Sequence, residues 1–274
     1  MASRYLWSRA SLAKVVKWMS VEVFELHGVK VFRCRALVQG QVLYWTYFYK
    51  LNDVLFDCGC PNAADEIVGV VGKVRKVLIT HYHEDHVGAA PLLRIEKYAP
   101  DKAIDVLKMP PDIPAYRKVV WGQPLPFEAI PASELKGDIE VIETPGHSFD
   151  HVSYLVGDRL FCGDLVINTK QMVTMREEDC LQTIESLKRV LKYDFKYAFT
   201  GMGVSSRDDV EAYLDYLLGL KKRAEELYRG GKSVEEIINA LFPSPPPIVL
   251  LIEQVSEKEL ARENMVRSLL GLRP

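Results

Sequence analysis

The stretch His81-Tyr82-His83-Glu84-Asp85-His86 directly follows the apolar run at residues 77–80, and it decides how the rest of the chain is interpreted. Four of these six residues, His81, His83, Asp85 and His86, are candidate metal ligands, and three of them are among the six histidines of the chain. A buried imidazole loses its hydration unless a metal ion or a hydrogen bond uses its lone pair. The cluster therefore indicates a metal site in a loop that leaves a strand. The alternative is a histidine-rich loop without a metal.

Two further candidate ligands lie downstream, each in a loop after a short strand-like segment. His147 stands in a Thr-Pro-Gly-His-Ser turn, and Asp164 stands in a Phe-Cys-Gly-Asp turn. Loops at strand ends on a rigid sheet are suited to hold ligands in fixed positions. Taken singly, such turns are also typical of ordinary capping and turn chemistry. Together with the histidine cluster they form an ordered series of metal-binding side chains.

The series H-x-H-x-D-H, then Gly-His about 60 residues later, then Gly-Asp, resembles the metallo-β-lactamase fold superfamily over residues 21–205. The resemblance implies an α/β fold, a four-layer αββα sandwich of two packed mixed sheets followed by C-terminal helices. It also implies six ligands in two metal sites. These are His81, His83 and His147 in the first site, Asp85 and His86 in the second, and Asp164 bridging both.

Met202 departs from the pattern of that superfamily. One more histidine normally completes the second site there, in a Gly-His-Gly-type turn after the last strand. The corresponding residues 199–203 read Phe-Thr-Gly-Met-Gly, so Met202 takes the place of the histidine. A thioether is a soft, neutral ligand that suits copper(I) and replaces imidazole poorly on zinc or iron(II). We therefore expect one strongly bound zinc ion and a second that is weak or absent.

The implied ligands predict hydrolysis by a metal-activated water. Zinc with three protein ligands keeps an open position for a water, whose pKa falls to about 7. The expected reaction is cleavage of an ester, thioester, lactone or phosphodiester, with Asp85 and Asp164 as catalytic groups that orient the water and take its proton. Tyr82 and His151 are candidates on the substrate side. A tyrosine here is also typical of a cleft wall, and a histidine at a strand entry is typical of packing.

Two alternatives stay open because of Met202. A mononuclear iron oxygenase resembling persulfide dioxygenases would use His81, His147 and Asp164 as its three ligands. A binding protein that has kept the fold but lost activity is the other alternative. A flavodiiron site is disfavoured, because that type usually has glutamate where this chain has His83.

Composition limits the class of protein. The chain has 274 residues, of which 48% are hydrophobic and 26% charged, with a net charge of −2. This balance gives no global attraction to nucleic acid or an anionic membrane, and no apolar run reaches the ~18 residues of a membrane span. Five cysteines are an odd number and too sparse for a disulfide-stapled domain. We expect a soluble, cytoplasmic enzyme with a small-molecule substrate, a structural turn at Cys58-Gly59-Cys60, and an undetermined oligomeric state.

Three segments are predicted: a basic extension at residues 1–20, the metallo-β-lactamase-like domain at 21–205, and a helical appendage at 206–274. The first twenty residues contain four cations and no acid, and these charges interrupt the apolar stretch that a secretory signal needs. This extension could be a helix packed on the domain or a segment upstream of a start at Met19. A membrane-touching or transit-type amphipathic helix is the alternative.

The local patterns predict the order of elements. A β-meander at residues 21–58 is followed by a helix at 61–71, a buried strand at 74–80, a helix at 88–98 and a strand at 103–106. Later strands are expected at 138–144, 151–156, 159–163 and 197–200, with a helix at 177–191. From Ser206 onward the chain reads as helical, with capping boxes that begin at Ser206, Ser233 and Ser256. This tail resembles the helices that close one side of the cleft in glyoxalase II-like and β-lactamase-like hydrolases.

Overall fold

The structure is a computed structural model that describes residues 16–38 and 41–272. It divides into two compact units. The first comprises the chain as far as Leu135 together with the turn Gly201–Gly203, and the second comprises Lys136–Thr200 and the chain from Val204 onward. Each unit has its own mixed sheet and its own apolar core.

The sheet of the first unit contains seven strands within the described residues, arranged in chain order. These strands are β1 (Val16–Leu26), β2 (Val29–Val38), β3 (Gln41–Leu51), β4 (Val54–Phe56), β5 (Lys76–Leu78), β6 (Glu96–Ala99) and β7 (Ile130–Pro131). The strands from β1 to β4 pair antiparallel, whereas those from β4 to β7 pair parallel. His27 and Gly28 join β1 to β2 with φ angles of 52° and 72°, as a two-residue hairpin turn requires.

Side chains alternate between the two faces of the sheet along β2 and β3, and those on one face build the core of the first unit. Phe32 and Phe48 point to the same face of the sheet and stack with ring centroids 4.9 Å apart. Ile67 packs against this face from the next helix. The helices of the unit are α1 (Ala64–Val70), α2 (Glu84–Val87), α3 (Ile104–Lys108) and α4 (Ala115–Val120).

Two element predictions in the first unit are wrong. Residues 88–98 form a short 3-10 turn, Ala90–Leu92, and then β6, because residues 96–98 pair in parallel with β5 and this tertiary contact outweighs local propensity. The strand predicted at 103–106 is α3. A 3-10 turn after Pro100 leads into this helix, and the buried residues Ala103 and Leu107 are spaced at i and i+4 on one helical face.

The second unit contains a five-stranded sheet in the order β13-β12-β10-β9-β8 and a small sheet of β11 and β14. Their ranges are β8 (Glu140–Glu143), β9 (Val152–Val156), β10 (Arg159–Gly163), β11 (Thr174–Met175), β12 (Tyr197–Thr200), β13 (Gly203–Ser206) and β14 (Leu260–Ala261). The pairing of β10 with β12 is parallel, and the pairings of β8 with β9 and β9 with β10 are antiparallel. The sheet is therefore mixed.

The helices of the second unit are α5 (Cys180–Val190), α6 (Arg207–Arg229), α7 (Val234–Leu241), α8 (Pro247–Val255) and α9 (Arg262–Leu269). The capping boxes at Ser206 and Ser233 are present as predicted. The predicted helix start at Ser256 is wrong, since this residue ends α8. Glu257 and Lys258 follow with φ angles of 51° and 64°, which a right-handed helix does not allow.

The C-terminal helix α9 belongs to the core of the second unit. Met265, Val266 and Leu269 are fully buried, and they share one apolar cluster with Leu187 of α5 and Leu217 of α6. By contrast, α8 buries none of its residues and exposes Ile248, Leu250 and Leu251. The helices after residue 206 therefore complete a core, and the predicted domain boundary at residue 205 stays a prediction.

The predicted fold class is confirmed: the chain forms an α/β fold with two mixed sheets and C-terminal helices. The helix considered for the N-terminal extension is wrong for residues 16–20, which begin β1, and residues 1–15 lie outside the described residues. None of the helices in the described part of the chain is long and apolar enough to cross a membrane.

Candidate metal centre

The metal-binding loop of the first unit lies where two parallel strands end. Phe56 of β4 pairs with Leu78 of β5, so the residues that follow the two strands lie at the same edge of the sheet. One strand continues into Asp57 and the other into residues 79–86. The four predicted ligands of this loop, His81, His83, Asp85 and His86, are all buried.

Asp57, which the sequence analysis overlooked, organises this loop. One carboxylate oxygen accepts a hydrogen bond from the backbone N–H of Thr80 at 2.7 Å. The other accepts from the Thr80 hydroxyl at 2.9 Å and lies 2.8 Å from Nδ1 of His86. Asp57 is itself held at φ 57°, a region in which aspartate and asparagine are enriched. In the sequence, Asp57 is marked only by being an acidic residue directly after a buried strand.

The hydrogen bonds around Asp57 assign the protons of two imidazoles. The carboxylate only accepts, so Nδ1 of His86 carries a proton and Nε2 keeps its lone pair. The Thr80 hydroxyl gives its one hydrogen to Asp57, so the oxygen accepts from Nδ1 of His81, 3.0 Å away. Nε2 of His81 therefore also keeps its lone pair, as a metal ligand must.

The resulting donor atoms fit a metal ion. Nε2 of His81 and Nδ1 of His83 lie 3.1 Å apart. Two nitrogens bound to one tetrahedral zinc at about 2.0–2.1 Å are separated by about 3.3 Å. Ring nitrogens of His81 and His86 lie within 4.8 Å of each other as well. The first unit thus brings together ring nitrogens of three buried imidazoles, which is the donor chemistry that zinc and iron(II) prefer.

A buried ion pair fixes the backbone of the same loop. Arg117 of α4 donates from Nε and from one terminal nitrogen to the two carboxylate oxygens of Glu84, each at 2.7 Å. Both side chains are at most 8% exposed. Glu84 stands between two predicted ligands, His83 and Asp85. The paired hydrogen bonds therefore anchor α2 to α4 within the segment that carries the predicted ligands.

The second unit brings together its own two predicted ligands. Nε2 of His147, after β8, lies 3.5 Å from a carboxylate oxygen of Asp164, after β10. This separation is also close to the distance between two ligands on one zinc ion, about 3.3 Å. Both side chains are buried. The pair offers one nitrogen and one oxygen donor.

Glu178, which the sequence analysis also missed, lies on the other side of the His147 ring. One of its carboxylate oxygens is 3.5 Å from Nδ1 of His147, and the other accepts from the backbone N–H of Met175 at 2.7 Å. A carboxylate at Nδ1 favours the proton on that nitrogen and leaves Nε2 to face Asp164. Glu178 follows the short strand β11, and nothing in the local pattern distinguishes it from a surface acid.

The loop that carries His147 packs closely on α5. The backbone N–H of Asp179 donates to the carbonyl of Gly146 at 2.7 Å, and the Ser186 hydroxyl donates to the carbonyl of Pro145 at 2.7 Å. Gly146 has φ 144°, and a Cβ there would lie 2.5 Å from the backbone nitrogen of Thr183. Only glycine allows this approach, which fixes the position of the next residue, His147.

The two candidate substrate-side residues differ in exposure. His151 is 1% exposed, its Nδ1 lies 2.9 Å from the Thr144 hydroxyl, and its ring centroid is 6.3 Å from that of His147. Tyr82 is half-buried, and its ring meets the His83 ring at a centroid distance of 4.8 Å. Tyr82 therefore retains a surface that a substrate can touch.

Met202 lies in a turn that the first unit holds at both ends. The backbone N–H of Tyr47 donates to the carbonyl of Gly201 at 3.0 Å, and the Tyr49 hydroxyl donates to the carbonyl of Gly203 at 2.8 Å. The Met202 side chain is 38% exposed. The turn expected to present a last histidine is thus held by hydrogen bonds on both sides of Met202, and it presents a thioether.

The cysteines do not supply ligands to the loop. Burial raises the pKa of the thiols of Cys58 and Cys60 well above the usual range. Their side chains contact the carbonyl oxygen of His86 and the hydroxyl of Thr46 respectively. A thiol with a raised pKa is a poor ligand and nucleophile at neutral pH, so both residues fill the core, as the predicted structural turn requires.

The chain is similar in sequence to known proteins. A family model described as the metallo-beta-lactamase superfamily matches residues 41–202, more than half of the chain. A hydroxyacylglutathione hydrolase of Thiobacillus denitrificans is 41% identical over 125 residues, covering 44% of this chain and 44% of that relative. A hydroxyacylglutathione hydrolase of Shewanella loihica is 26% identical over 186 residues, covering 66% of this chain and 65% of that relative. The chain thus matches less than two thirds of the length of these relatives.

The fold has a counterpart among solved structures. A metallo-beta-lactamase family protein of Thermus thermophilus superposes with a TM-score of 0.59, covering 90% of this chain and 93% of that chain. The two sequences are 17% identical. This similarity concerns the fold alone.

Proposed function

Because the chain belongs to the metallo-β-lactamase superfamily, we propose that it is a metal-dependent hydrolase of a small-molecule ester, thioester, lactone or phosphodiester. One observation carries the proposal. Each unit holds a pair of buried donor atoms at the separation of two ligands on one metal ion. The distance is 3.1 Å between His81 and His83, and 3.5 Å between His147 and Asp164.

The proposed ligands are assigned to two metal positions. His81, His83 and His147 would hold the first ion, Asp85 and His86 would hold the second, and Asp164 would contribute to both. We propose zinc in the first position and a weakly held ion in the second. A bound zinc ion lowers the pKa of a coordinated water to about 7 and polarises the oxygen of the scissile bond.

The residues around the ligands keep each imidazole in its binding form. Asp57 and Thr80 hold the protons of His81 and His86 on Nδ1, so the Nε2 lone pairs stay directed into the site. Glu178 has the same role for His147. These contacts fix the donor atoms before a ligand arrives and reduce the entropy lost on binding.

Two buried carboxylates are proposed to handle the water proton. Asp85 and Asp164 are each 7% exposed, so few solvent molecules compete for their oxygens. A carboxylate within hydrogen-bond reach of the attacking water orients it and accepts its proton. Tyr82, which retains exposed surface, is proposed to contact the substrate, and His151 is proposed to support the loop of His147.

The names of the relatives favour one bond type. Two of the similar proteins are called hydroxyacylglutathione hydrolase, and an acylglutathione is a thioester. We therefore propose a thioester as the first substrate class to test.

Met202 supports a second candidate function. With a thioether in place of an imidazole, the chain could hold a single ion, and His81, His147 and Asp164 together match the two-histidine, one-carboxylate set of iron(II) oxygenases. A metal-free binding protein is the third possibility, and it rests on the same residue.

Metal analysis combined with an activity panel tests these proposals. Protein purified without added metal is analysed for zinc and iron, and is then assayed on a glutathione thioester, an aryl ester and an aryl phosphodiester. Zinc with chelator-sensitive cleavage of one substrate supports the hydrolase. Iron with oxygen consumption on a persulfide, or no metal uptake and no cleavage after zinc is added, overturns it. His27→Asn is the control for these measurements, because it removes an exposed imidazole outside the proposed site and should leave metal content and cleavage unchanged.

A further inference from the structure

The hydroxyl group of Tyr44 reaches into the metal-binding loop of the first unit. It donates a hydrogen bond to Oδ2 of Asp85 at 3.2 Å. The same oxygen lies 3.9 Å from Nε2 of His86. A carboxylate rotates easily about its terminal bond, and a hydrogen bond to one oxygen fixes the direction of the other. The Tyr44 contact therefore restricts the rotation of the Asp85 carboxylate and holds Oδ2 beside Nε2 of His86.

Tyr44 is itself held by an aromatic contact. It lies on β3, opposite Ala36 of β2. Its ring meets Trp121 edge-on, with ring planes at 90° and centroids 5.5 Å apart. Edge-to-face packing of this kind stabilises one ring orientation more than area burial alone does. This ring contact therefore helps to keep Tyr44 in the orientation from which its hydroxyl reaches Asp85.

The position of Trp121 is fixed by the backbone on both sides. Its carbonyl accepts a hydrogen bond from the N–H of Asn62 at 2.9 Å, and its own N–H donates to the carbonyl of Arg117 at 2.8 Å. The next residue, Gly122, has φ 102°, and a Cβ there would lie 2.7 Å from Oδ1 of Asn62. The chain at Trp121 is therefore pressed against the segment that precedes α1.

Two different contacts thus control Asp85. The buried pair of Arg117 and Glu84 anchors the backbone one residue before it. The chain of contacts from Trp121 through Tyr44 orients its side chain. Loss of the first contact leaves an uncompensated buried charge and endangers the fold. Loss of the Tyr44 hydroxyl removes its hydrogen bond to Asp85 and leaves the ring in place.

We propose that Tyr44 is a positioning residue for Asp85, and that Trp121 aligns Tyr44 for this role. The proposal rests on the proposed function, in which Asp85 is a ligand of the second metal position. The Tyr44 hydroxyl holds Oδ2 of Asp85 beside Nε2 of His86, and these are the two donor atoms that would face the second ion. Tyr44 acts through Asp85, so its role is to position that residue.

A cobalt(II) titration of metal-free protein, followed by its visible absorption, tests the role of Tyr44. In Tyr44→Phe, the affinity for the second ion should fall about 10-fold, within the range of about 10–100-fold found when a partner of a ligand is lost. The affinity for the first ion should not change. If thioester cleavage is found, kcat should fall while KM stays the same.

Tyr47→Phe is the matched control. It lies on the same strand, and its hydroxyl accepts a hydrogen bond from Arg33 instead of contacting a proposed ligand. Trp121→Leu tests the second step of the contact chain, and it should reduce the affinity for the second ion by a smaller factor than Tyr44→Phe. Thermal unfolding of each metal-free variant separates these changes from a loss of folding.

The outcomes separate the positioning role from the proposed function. The role of Tyr44 alone is overturned if Tyr44→Phe leaves the affinity for the second cobalt ion unchanged. It is also overturned if Tyr47→Phe lowers that affinity by the same factor. Natural protein that takes up only one cobalt ion even at saturating cobalt also overturns it, because no second ion is then positioned, while the hydrolase proposal stands. Natural protein that binds no cobalt overturns the proposed function and the positioning role together.

Discussion

The two units provide metal donors in different ways. In the first unit, four candidate ligands stand within six consecutive residues. Asp57 holds one of them, His86, and the preceding residue Thr80 through contacts of 2.7–2.9 Å. In the second unit, His147 and Asp164 come from separate loops. The carboxylate of Glu178 lies 3.5 Å from His147, at the same distance as Asp164.

This difference predicts unequal preorganisation. Short hydrogen bonds fix the imidazoles of the first unit whether or not an ion is present. A separation of 3.5 Å is too long for a strong charge-assisted hydrogen bond. A metal ion bound by His147 and Asp164 should therefore contribute more to holding these two side chains in place. We expect the first unit to decide the stability of the loop, and the second unit to decide whether a metal ion is retained.

The largest expected effect is that of His147→Ala. It removes one of three proposed ligands at the stronger site, so metal affinity should fall by more than about 100-fold, beyond the effect of losing a supporting residue. Any hydrolysis should be lost with it. Asp85→Asn should keep most of the first metal and lose rate, since Asp85 is proposed as a ligand of the second position. Elemental analysis after gel filtration distinguishes the two variants, and equal metal loss in both would contradict this division.

Asp57→Asn tests the organisation of the first unit. An amide can accept from Thr80 through its oxygen, but its NH2 group then faces a donor, so one hydrogen bond is lost. We expect the free energy of unfolding of the metal-free protein to fall by about 1–3 kcal/mol, the cost of a buried unsatisfied group. Asparagine tolerates the positive φ at this position, so backbone strain is not added.

Urea unfolding measures this effect, and metal affinity should also fall, by about 10–100-fold. Asp53→Asn is the control, because that residue pairs with Arg75 at an exposed turn. Equal stability of Asp57→Asn and the natural protein would show that the loop is not held by Asp57.

Glu178→Gln applies the same test to the second unit. The amide oxygen can still accept from the Met175 N–H, so unfolding should change little. Loss of the carboxylate beside Nδ1 should lower metal affinity about 10-fold, at the low end for a supporting residue. A competition titration against a chelator measures it. A large loss of stability without a change in affinity would reverse the contrast between the units.

The smallest expected effect concerns the turn at Met202. We expect the natural protein to contain nearer one than two ions per chain, and Met202→His should raise occupancy of the second position. Met202→Leu is the control, because it keeps the apolar volume and offers no ligand atom. Two tightly held ions in the natural protein under mild chelation would show that the thioether does not weaken the site.

The sequence alone determined the elements whose signals are local. Residues 81–86 form a contiguous motif, so a metal site could be predicted from them without knowing the fold. The strands at 159–163 and 197–200 agree with their predicted bounds, and Ser206 and Ser233 start helices through contacts within four residues. Short-range patterns fix such features because the interacting groups are neighbours in the chain.

Tertiary structure decided the features that depend on distant partners. Residues 96–99 became a strand because β5 offered them a parallel partner, against their local pattern. Asp57, Glu178 and Tyr44 acquired their roles only when folding placed them beside His86, His147 and Asp85. These contacts join residues 29, 31 and 41 positions apart, so no periodicity or spacing rule in a single sequence encodes them.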